Sequence, residues 1–317
     1  MSKQTDSIVN LVLNRDRRSV ARAISHVEDD LPDSTELMQS LYKKTGHAYR
    51  VGITGPPGAG KSTITNKLAR YYRSKHVSVG IIAVDPTSPF TGGALLGDRV
   101  RMTDIELDGE VFIRSMASRG SLGGLSKKAK EAADVLDAAG FDMILMETVG
   151  VGQSELDIAG AADTTIVVLV PESGDGIQAM KAGLMEIADF FVLNKSDRPG
   201  ADQAVMSIKL ILGFRPHDQS SWLADVVKTQ ANEGKGIEEV AQLIEQHRKF
   251  LERGGLEQRR KVRLKNRVRE IVENQLTSDF WNHSRTAVLE EKIEQVMTRR
   301  VSPYDLADEL IADFKNL

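Results

Sequence analysis

The sequence runs to 317 residues and contains no cysteine. That absence excludes disulfides, thiolate nucleophiles, iron-sulfur clusters and cysteine zinc sites together, and it suits a reducing compartment. Histidine is scarce as well. The six present, His26, His47, His76, His217, His247 and His283, never recur at i, i+4, so no helical transition-metal site is expected. No apolar stretch approaches the roughly 20 residues of a membrane span. The opening MSKQTDSIVN, followed by Arg15, Asp16, Arg17 and Arg18, does not read as a secretory signal. An excess of one charge is missing too: Lys+Arg 42 against Asp+Glu 45 leaves a net charge of -3, too balanced for a global grip on nucleic acid or anionic lipid. The expectation is a cytoplasmic protein with no nucleic-acid or membrane partner, whose specificity resides in local sites.

What is present is ordinary in bulk and informative in pattern. Hydrophobic residues at 41% and charged residues at 27% belong to a globular chain, long enough for one large or two smaller units. Residues 1–48 read as helices only, with Ile8, Val9, Leu11, Val12, Val20, Ala23 and Ile24 at helical spacing. Asp33 and Glu36, just after Pro32, predict a capping box that opens another helix. From Tyr49 the pattern changes to short apolar runs separated by amphipathic stretches: YRVGIT, VSVGIIAVD, VFIRSM, FDMILMET, TTIVVLV, DFFVLN and DVVKT. Such runs are strands buried on both faces, and their alternation with helices predicts a doubly wound, mostly parallel α/β sheet over residues 49–255. Beyond about 255 only helical patterns remain. Residues 257–276 carry a dense basic face that reads as solvated, and Ser302, Pro303 and Asp305 start a last helix. The apolar stripe of Val288, Leu289, Ile293, Val296 and Met297 has no sheet of its own to cover, which predicts a homodimer through residues 256–317.

The segment Gly55, Pro56, Pro57, Gly58, Ala59, Gly60, Lys61, Ser62 fits G-x-x-x-x-G-K-[ST], between a predicted strand and a predicted helix that opens with Ser62 and Thr63. There, backbone N–H groups and a helix N-terminus surround a phosphate chain. Lys61 is expected on the β- and γ-phosphates and the Ser62 hydroxyl on Mg²⁺. Asp85 and Glu147 end predicted strands where a magnesium shell needs acids, and Asp98 in GDRVRM is a third candidate. The Pro- and Gly-rich loop between Asp85 and Asp98 has the composition of a segment that orders around the γ-phosphate.

Asn194, Lys195 and Asp197 form N-K-x-D after the strand DFFVL. A carboxylate at Asp197 accepts from the N1–H and 2-amino groups of guanine, whereas adenine offers neither, so GTP and GDP are favoured over adenine nucleotides. Gln230, Ala231 and Asn232 are expected along the base edge. In ETVGVGQSE the Gly150 N–H is a candidate for the γ-phosphate, and Val151 follows it where a Ras-like GTPase has a water-orienting glutamine. Slow intrinsic hydrolysis is the consequence. Lys181, in PESGDGIQAMKAG, is a candidate cation for the phosphates.

GPPGAGKST, AVDPTSP, GDRVRM, ETVGVGQSE, DIAGAADTT, the run from Gly174 to Asp189 and NKSD together resemble the MeaB/ArgK family, GTPase chaperones of adenosylcobalamin-dependent acyl-CoA mutases. The resemblance implies a G domain between N-terminal helices and a C-terminal dimerisation extension, with Mg²⁺-dependent GTP hydrolysis. It also implies gating of cofactor delivery to, and protection of, methylmalonyl-CoA mutase or a relative. On the matching positions Asp85, Asp98 and Glu147 are implied as magnesium-site acids and Lys181 as part of a third switch. Ser196, Gln230 and the segment Pro171-Glu172-Ser173 depart from the family pattern. No D-x-H-x-x-G motif is present, so cobalamin is expected only through the partner. A metal-delivery GTPase, a kinase linked to basic amino-acid transport and a membrane-targeting GTPase are the rival readings. The first lacks its Cys/His cluster here, and the third lacks a Met-rich domain.

Overall fold

The computed structural model describes residues 3–85, 105, 107–117, 127–148, 157–173, 182–214 and 221–315. Three helices come first: α1 (Lys3–Leu13), α2 (Arg17–Glu28) and α3 (Ser34–Tyr42). Then follow β1 (Tyr49–Thr54), α4 (Lys61–Ser74), β2 (Val79–Asp85), β3 (Val111–Ala117), α5 (Lys127–Ala138), β4 (Met143–Thr148), β5 (Thr164–Leu169), α6 (Ala182–Ile187), β6 (Phe190–Leu193), α7 (Ala201–Gly213), β7 (Val226–Lys228) and α8 (Ile237–Glu252). The chain closes with α9 (Gly255–Phe280), α10 (His283–Met297) and α11 (Pro303–Lys315). It divides into two compact units, 1–257 and 258–317.

The strands form a seven-stranded sheet in the order β3-β2-β4-β1-β5-β6-β7, with every pairing parallel. Parallel strands need crossovers, and a sheet covered on both faces needs apolar side chains in both directions. The burial pattern obeys this. Neighbouring residues such as Ile81 and Ile82, or Val167 and Val168, belong to different hydrophobic clusters. Ile64, Leu68 and Tyr72 of α4 and Val240 and Ile244 of α8 pack in one cluster. Val12, Val20, Ile24, Leu37 and Leu41 of the first three helices pack with Ala129, Ala132, Ala133 and Leu136 of α5 in another. The small alanines of α5 let those helices approach closely, so the N-terminal helices share the core of the first unit.

Caps follow local chemistry. Asp16 accepts from the Ser19 N–H at 2.8 Å and caps α2. Ser302 and Asp305 form a reciprocal pair at the start of α11, with the Asp305 N–H donating to Ser302 Oγ at 3.1 Å and the Ser302 N–H donating back at 3.2 Å. The capping box expected at Asp33 and Glu36 does not form. Asp33 has helical dihedrals and makes no cap hydrogen bond, because its carboxylate faces His26 Nδ1 at 3.3 Å instead.

At the N-terminal end of the sheet the fold buries a charge network. Asp137 of α5 accepts from the backbone N–H groups of Gly46, His47 and Ala48 at 2.9, 3.1 and 3.0 Å, fixing the entry into β1. The Arg50 guanidinium donates to Asp134 at 2.7 Å and to Asp137 at 3.2 Å. Burial opposes the charge on Arg50, but Asp134, Asp137 and Asp163 outweigh it and hold the guanidinium above its ordinary range. Removing Asp137 takes one counter-charge from the buried Arg50 and leaves three backbone donors uncompensated. Asp137→Ala is therefore expected to destabilise the chain by about 3–5 kcal/mol, read as a lower urea midpoint at an unchanged slope.

In the second unit Leu306 and Leu310 are buried, and so is Arg285, which donates to Asp313 at 2.8 Å and lies against the rings of Phe280 and Phe314. The 26-residue α9 buries none of its side chains. Among the described residues no helix is long and apolar enough to cross a membrane.

Candidate functional site

β1 lies between β4 and β5, and the Gly55–Ser62 loop springs from its C-terminal end into α4. In open α/β sheets ligands bind at this end, where crossovers leave in opposite directions. Two glycines are required by contact as well as by dihedral. A Cβ on Gly55 (φ +134°) would stand 2.1 Å from the Val168 carbonyl oxygen, and one on Gly60 (φ +92°) would stand 2.2 Å from Asn194 Nδ2. Gly60 is also the left-handed N-cap of α4, so the loop delivers Lys61 and Ser62 to the first turn. Lys61 is buried, and its ammonium donates to the carbonyls of Gly55 and Pro56 at 2.9 and 3.0 Å. The lysine thus braces its own loop. Ala59 is buried, whereas Pro57 and Gly58 are exposed.

The Ser62 hydroxyl donates to Glu147 Oε1 at 2.5 Å. Glu147, near the end of β4, is buried and aligned with Ile53 of β1 and Ala83 of β2. Behind it Thr54 and Thr148 join their hydroxyls at 2.9 Å. Asp85 closes β2 two residues beyond Ala83, at the same end of the sheet. Hydroxyl and carboxylate oxygens with no soft donor fit a hard divalent cation such as Mg²⁺, and Ser62 and Glu147 are the described side chains that could hold one. Asp98, Gly150, Val151 and Lys181 lie outside the described residues.

The second half of the site is built on β6 and β7. Asn194 is buried at the end of β6 and bonds in two directions. Its Nδ2 donates to the Ala59 carbonyl at 2.9 Å, while its Oδ1 accepts from Thr229 Oγ1 at 3.0 Å and from the Ala231 N–H at 3.1 Å. Lys195 (φ +55°) donates through Nζ to the Gly58 carbonyl at 2.8 Å, and the Ser196 N–H donates to the Thr229 carbonyl at 3.0 Å. These bonds turn Asp197 outward, where its carboxylate is exposed. Gln230, Ala231 and Asn232 follow β7, with Ala231 buried and Asn232 exposed. The structure therefore brings Gly55–Thr63, Glu147, Asn194–Asp197 and Gln230–Asn232 to one end of the sheet. Thr229 and Lys235, which bond Asn194 and Gln230 beside these residues, were not singled out from sequence. Thr229 has a signal in hindsight, as a hydroxyl directly after a strand; Lys235 depends on how its loop closes.

A phosphate cradle at a strand-to-helix turn of a parallel sheet, tied to an Asn-Lys-x-Asp base loop, defines a P-loop protein of the GTPase class. The comparisons agree. The family model described as methylmalonyl-CoA mutase-associated GTPase MeaB matches residues 20–285, and the chain belongs to this family of GTP hydrolases. A protein named as a GTPase in Pyrococcus abyssi is 47% identical over 311 residues, covering 97% of this chain and 96% of the relative. GTPase ArgK of Escherichia coli is 35% identical over 291 residues, 87% of this chain and 88% of that one. The mitochondrial methylmalonic aciduria type A homolog of Caenorhabditis elegans is 32% identical over 324 residues, 96% and 81%. A crystal structure of an LAO/AO transport system kinase superposes with a TM-score of 0.75 at 27% identity, covering 100% of this chain and 99% of that one.

The exposed Asp197 carboxylate gives a direct test of base choice. Asp197→Asn is expected to weaken GTP binding roughly ten- to a hundredfold and to shift preference toward xanthosine triphosphate, whose 2-carbonyl accepts from the new amide. Competition among GTP, ATP and xanthosine triphosphate reads this, and unchanged GTP preference in a folded variant would remove Asp197 from the base site.

Proposed function

We propose that this GTPase is Mg²⁺-dependent and acts as a chaperone that gates adenosylcobalamin loading and protects a cobalamin-dependent acyl-CoA mutase, methylmalonyl-CoA mutase or a relative. The observation that carries the nucleotide half is Asn194, which links the carbonyl of a phosphate-loop residue to the loop after β7 and so supports one composite guanine-nucleotide site. Family membership supports the partner half, since the family is described by its association with methylmalonyl-CoA mutase. In this reading Ser62, Asp85, Asp98 and Glu147 serve the metal, Lys61 and Gly150 serve the phosphates, and Asn194, Lys195, Asp197 and Gln230–Asn232 serve the base. When bound, Mg²⁺ would supply charge stabilisation for the transferring phosphoryl group. Cobalamin belongs to the partner. The chain is cytoplasmic in this reading, with no nucleic-acid or membrane partner.

Val151 has no hydrogen-bonding side chain with which to orient water, so basal turnover is slow and the partner completes or orders the site. Each tenfold in rate corresponds to about 1.4 kcal/mol, so one or two partner-induced hydrogen bonds suffice for a ~100-fold stimulation. Lys181 is assigned to the group that is repositioned. Lys181→Ala is expected to reduce the mutase-stimulated rate far more than the basal rate while sparing GTP affinity. Single-turnover hydrolysis with and without the mutase decides it: equal losses would make Lys181 a resident catalytic group, and no stimulation by any candidate mutase would overturn the chaperone reading. The name of the superposed kinase keeps phosphotransfer as a second reading, which labelled ATP against labelled GTP separates.

A homodimer through the C-terminal helices is part of the same proposal. On α9, Leu264, Val268, Ile271, Val272 and Leu276 are exposed along one stripe, and Ile293 and Met297 are exposed on α10. A second copy would cover them. Sedimentation of the intact chain is expected to give a dimer, and Val268→Glu combined with Leu276→Glu a monomer that still binds GTP; a monomeric intact chain would refute the interface.

A further inference from the structure

Lys235 is a cation on the base loop that the guanine reading leaves unused. Gln230 and Lys235 form an antiparallel bridge, with the Gln230 N–H donating to the Lys235 carbonyl at 3.1 Å. Inside this clasp the Glu233 N–H donates to the Gln230 carbonyl at 3.0 Å, and Gly234 takes a left-handed conformation at φ +77°. The closed loop brings side chains together across its mouth. Lys235 Nζ lies 2.7 Å from Glu233 Oε2 and 3.3 Å from Gln230 Oε1. The hydrogen bond and charge of Glu233, with the charge of Asp197 added, hold the ammonium above the ordinary lysine range.

Glu233 follows Ala231, whose N–H bonds Asn194, by two residues, and Lys235 feels the charge of both Glu233 and Asp197, so in the base-site reading a second carboxylate shares the loop expected along the purine edge. Asp197 has matching donors on guanine, the N1–H and the 2-amino group. A second carboxylate free of its lysine would have no such donor to match, but it could accept from the 6-amino group of adenine. An acceptor of that kind erodes discrimination, because specificity is a difference between two affinities. Lys235 occupies Glu233. Gln230 assists, since its carbonyl oxygen gives the ammonium a second acceptor and its backbone closes the clasp.

We propose that Lys235 is a specificity-determining residue of the base site: by holding Glu233 in an ion pair it leaves Asp197 as the carboxylate presented to the purine, and so protects the preference for guanine over adenine nucleotides. The proposal rests on the reading of Asp197 as the base acceptor. It differs from an ordinary surface ion pair in its position. Such pairs contribute little to stability, and no stability role is assigned to this one.

The test uses the full chain and nucleoside diphosphates, which separates binding from hydrolysis and from any mutase. GDP and ADP compete against a fluorescent GDP analogue. Lys235→Met keeps the aliphatic stem and removes the charge; at low ionic strength it is expected to lower the GDP-over-ADP affinity ratio roughly fivefold, chiefly through tighter ADP binding. Adding Glu233→Ala to that variant, which removes the acceptor, should return the ratio to the wild-type value. Both side chains are exposed, and circular dichroism checks that the variants keep the fold. A ratio unchanged in Lys235→Met, or one that stays low in the double variant, would overturn the role of Lys235 and leave the base site standing. A wild-type chain that binds ADP as well as GDP would overturn the base-site reading, and the role of Lys235 with it.

Discussion

The site depends first on one carboxamide. Asn194 has a donor at one end and an acceptor at the other, and it uses both: the donor holds the Ala59 carbonyl and the acceptor collects Thr229 Oγ1 and the Ala231 N–H. Three segments far apart in sequence meet there, the loop before α4, the end of β6 and the turn after β7. Neither leucine nor aspartate could replace it, since the first makes none of these bonds and the second cannot donate to a carbonyl. Lys195, next in sequence, sits in the left-handed region, which costs of order 1 kcal/mol for a non-glycine residue. Its ammonium bond to the Gly58 carbonyl, together with the Ser196 N–H bond to Thr229, over-determines that conformation.

The two ends of the sheet use polar groups differently. At the N-terminal end Arg50, Asp134 and Asp137 are buried and bonded to one another and to the backbone entering β1, which fixes structure. At the C-terminal end the polar side chains of the loop before α4 and its first turn bond within the loop or to the neighbouring strand. Lys61 rests on the carbonyls of its own loop, and Ser62 rests on Glu147. In the proposed function a phosphate chain here would exchange the loop carbonyls around Lys61 for anionic oxygens, which bond a cation more strongly.

Most of this was legible in the sequence, for a physical reason. Runs such as FDMILM and TTIVVL are apolar at successive residues, which only a strand covered on both faces requires, so the parallel sheet could be read before its order was known. The phosphate loop and N-K-x-D were legible because their chemistry needs fixed residue types at fixed local spacing. What could not be read depends on contacts across the fold. Asp33 and Glu36 have the spacing of a capping box, yet Asp33 turns to His26 seven residues earlier. Arg50 and Asp137 are 87 residues apart, and nothing near either one announces the other. Lys235 stands between two glycines and reads as an exposed loop residue until the bridge to Gln230 closes.

The C-terminal unit obeys a different constraint from the sheet. Its described buried side chains are few, and one of them, Arg285, is a cation set against Phe280 and Phe314 with Asp313 as its counter-ion. A guanidinium stacked on aromatic rings can fill such a position because its planar face is weakly hydrated and its edge keeps its hydrogen bonds. That arrangement orders the junction between α9, α10 and α11 without a large apolar core. It cannot stabilise much by area, since a unit of this size buries only about 60% of the surface its unfolded chain exposes. The apolar surface left on α9 is then a consequence of geometry: a long helix with one neighbouring pair of short helices has more apolar face than they can cover. A sheet resolves the same problem by adding helices on both sides, as α4 and α8 do on one face of the first unit and α5 on the other, whereas three helices in sequence have no second layer within themselves.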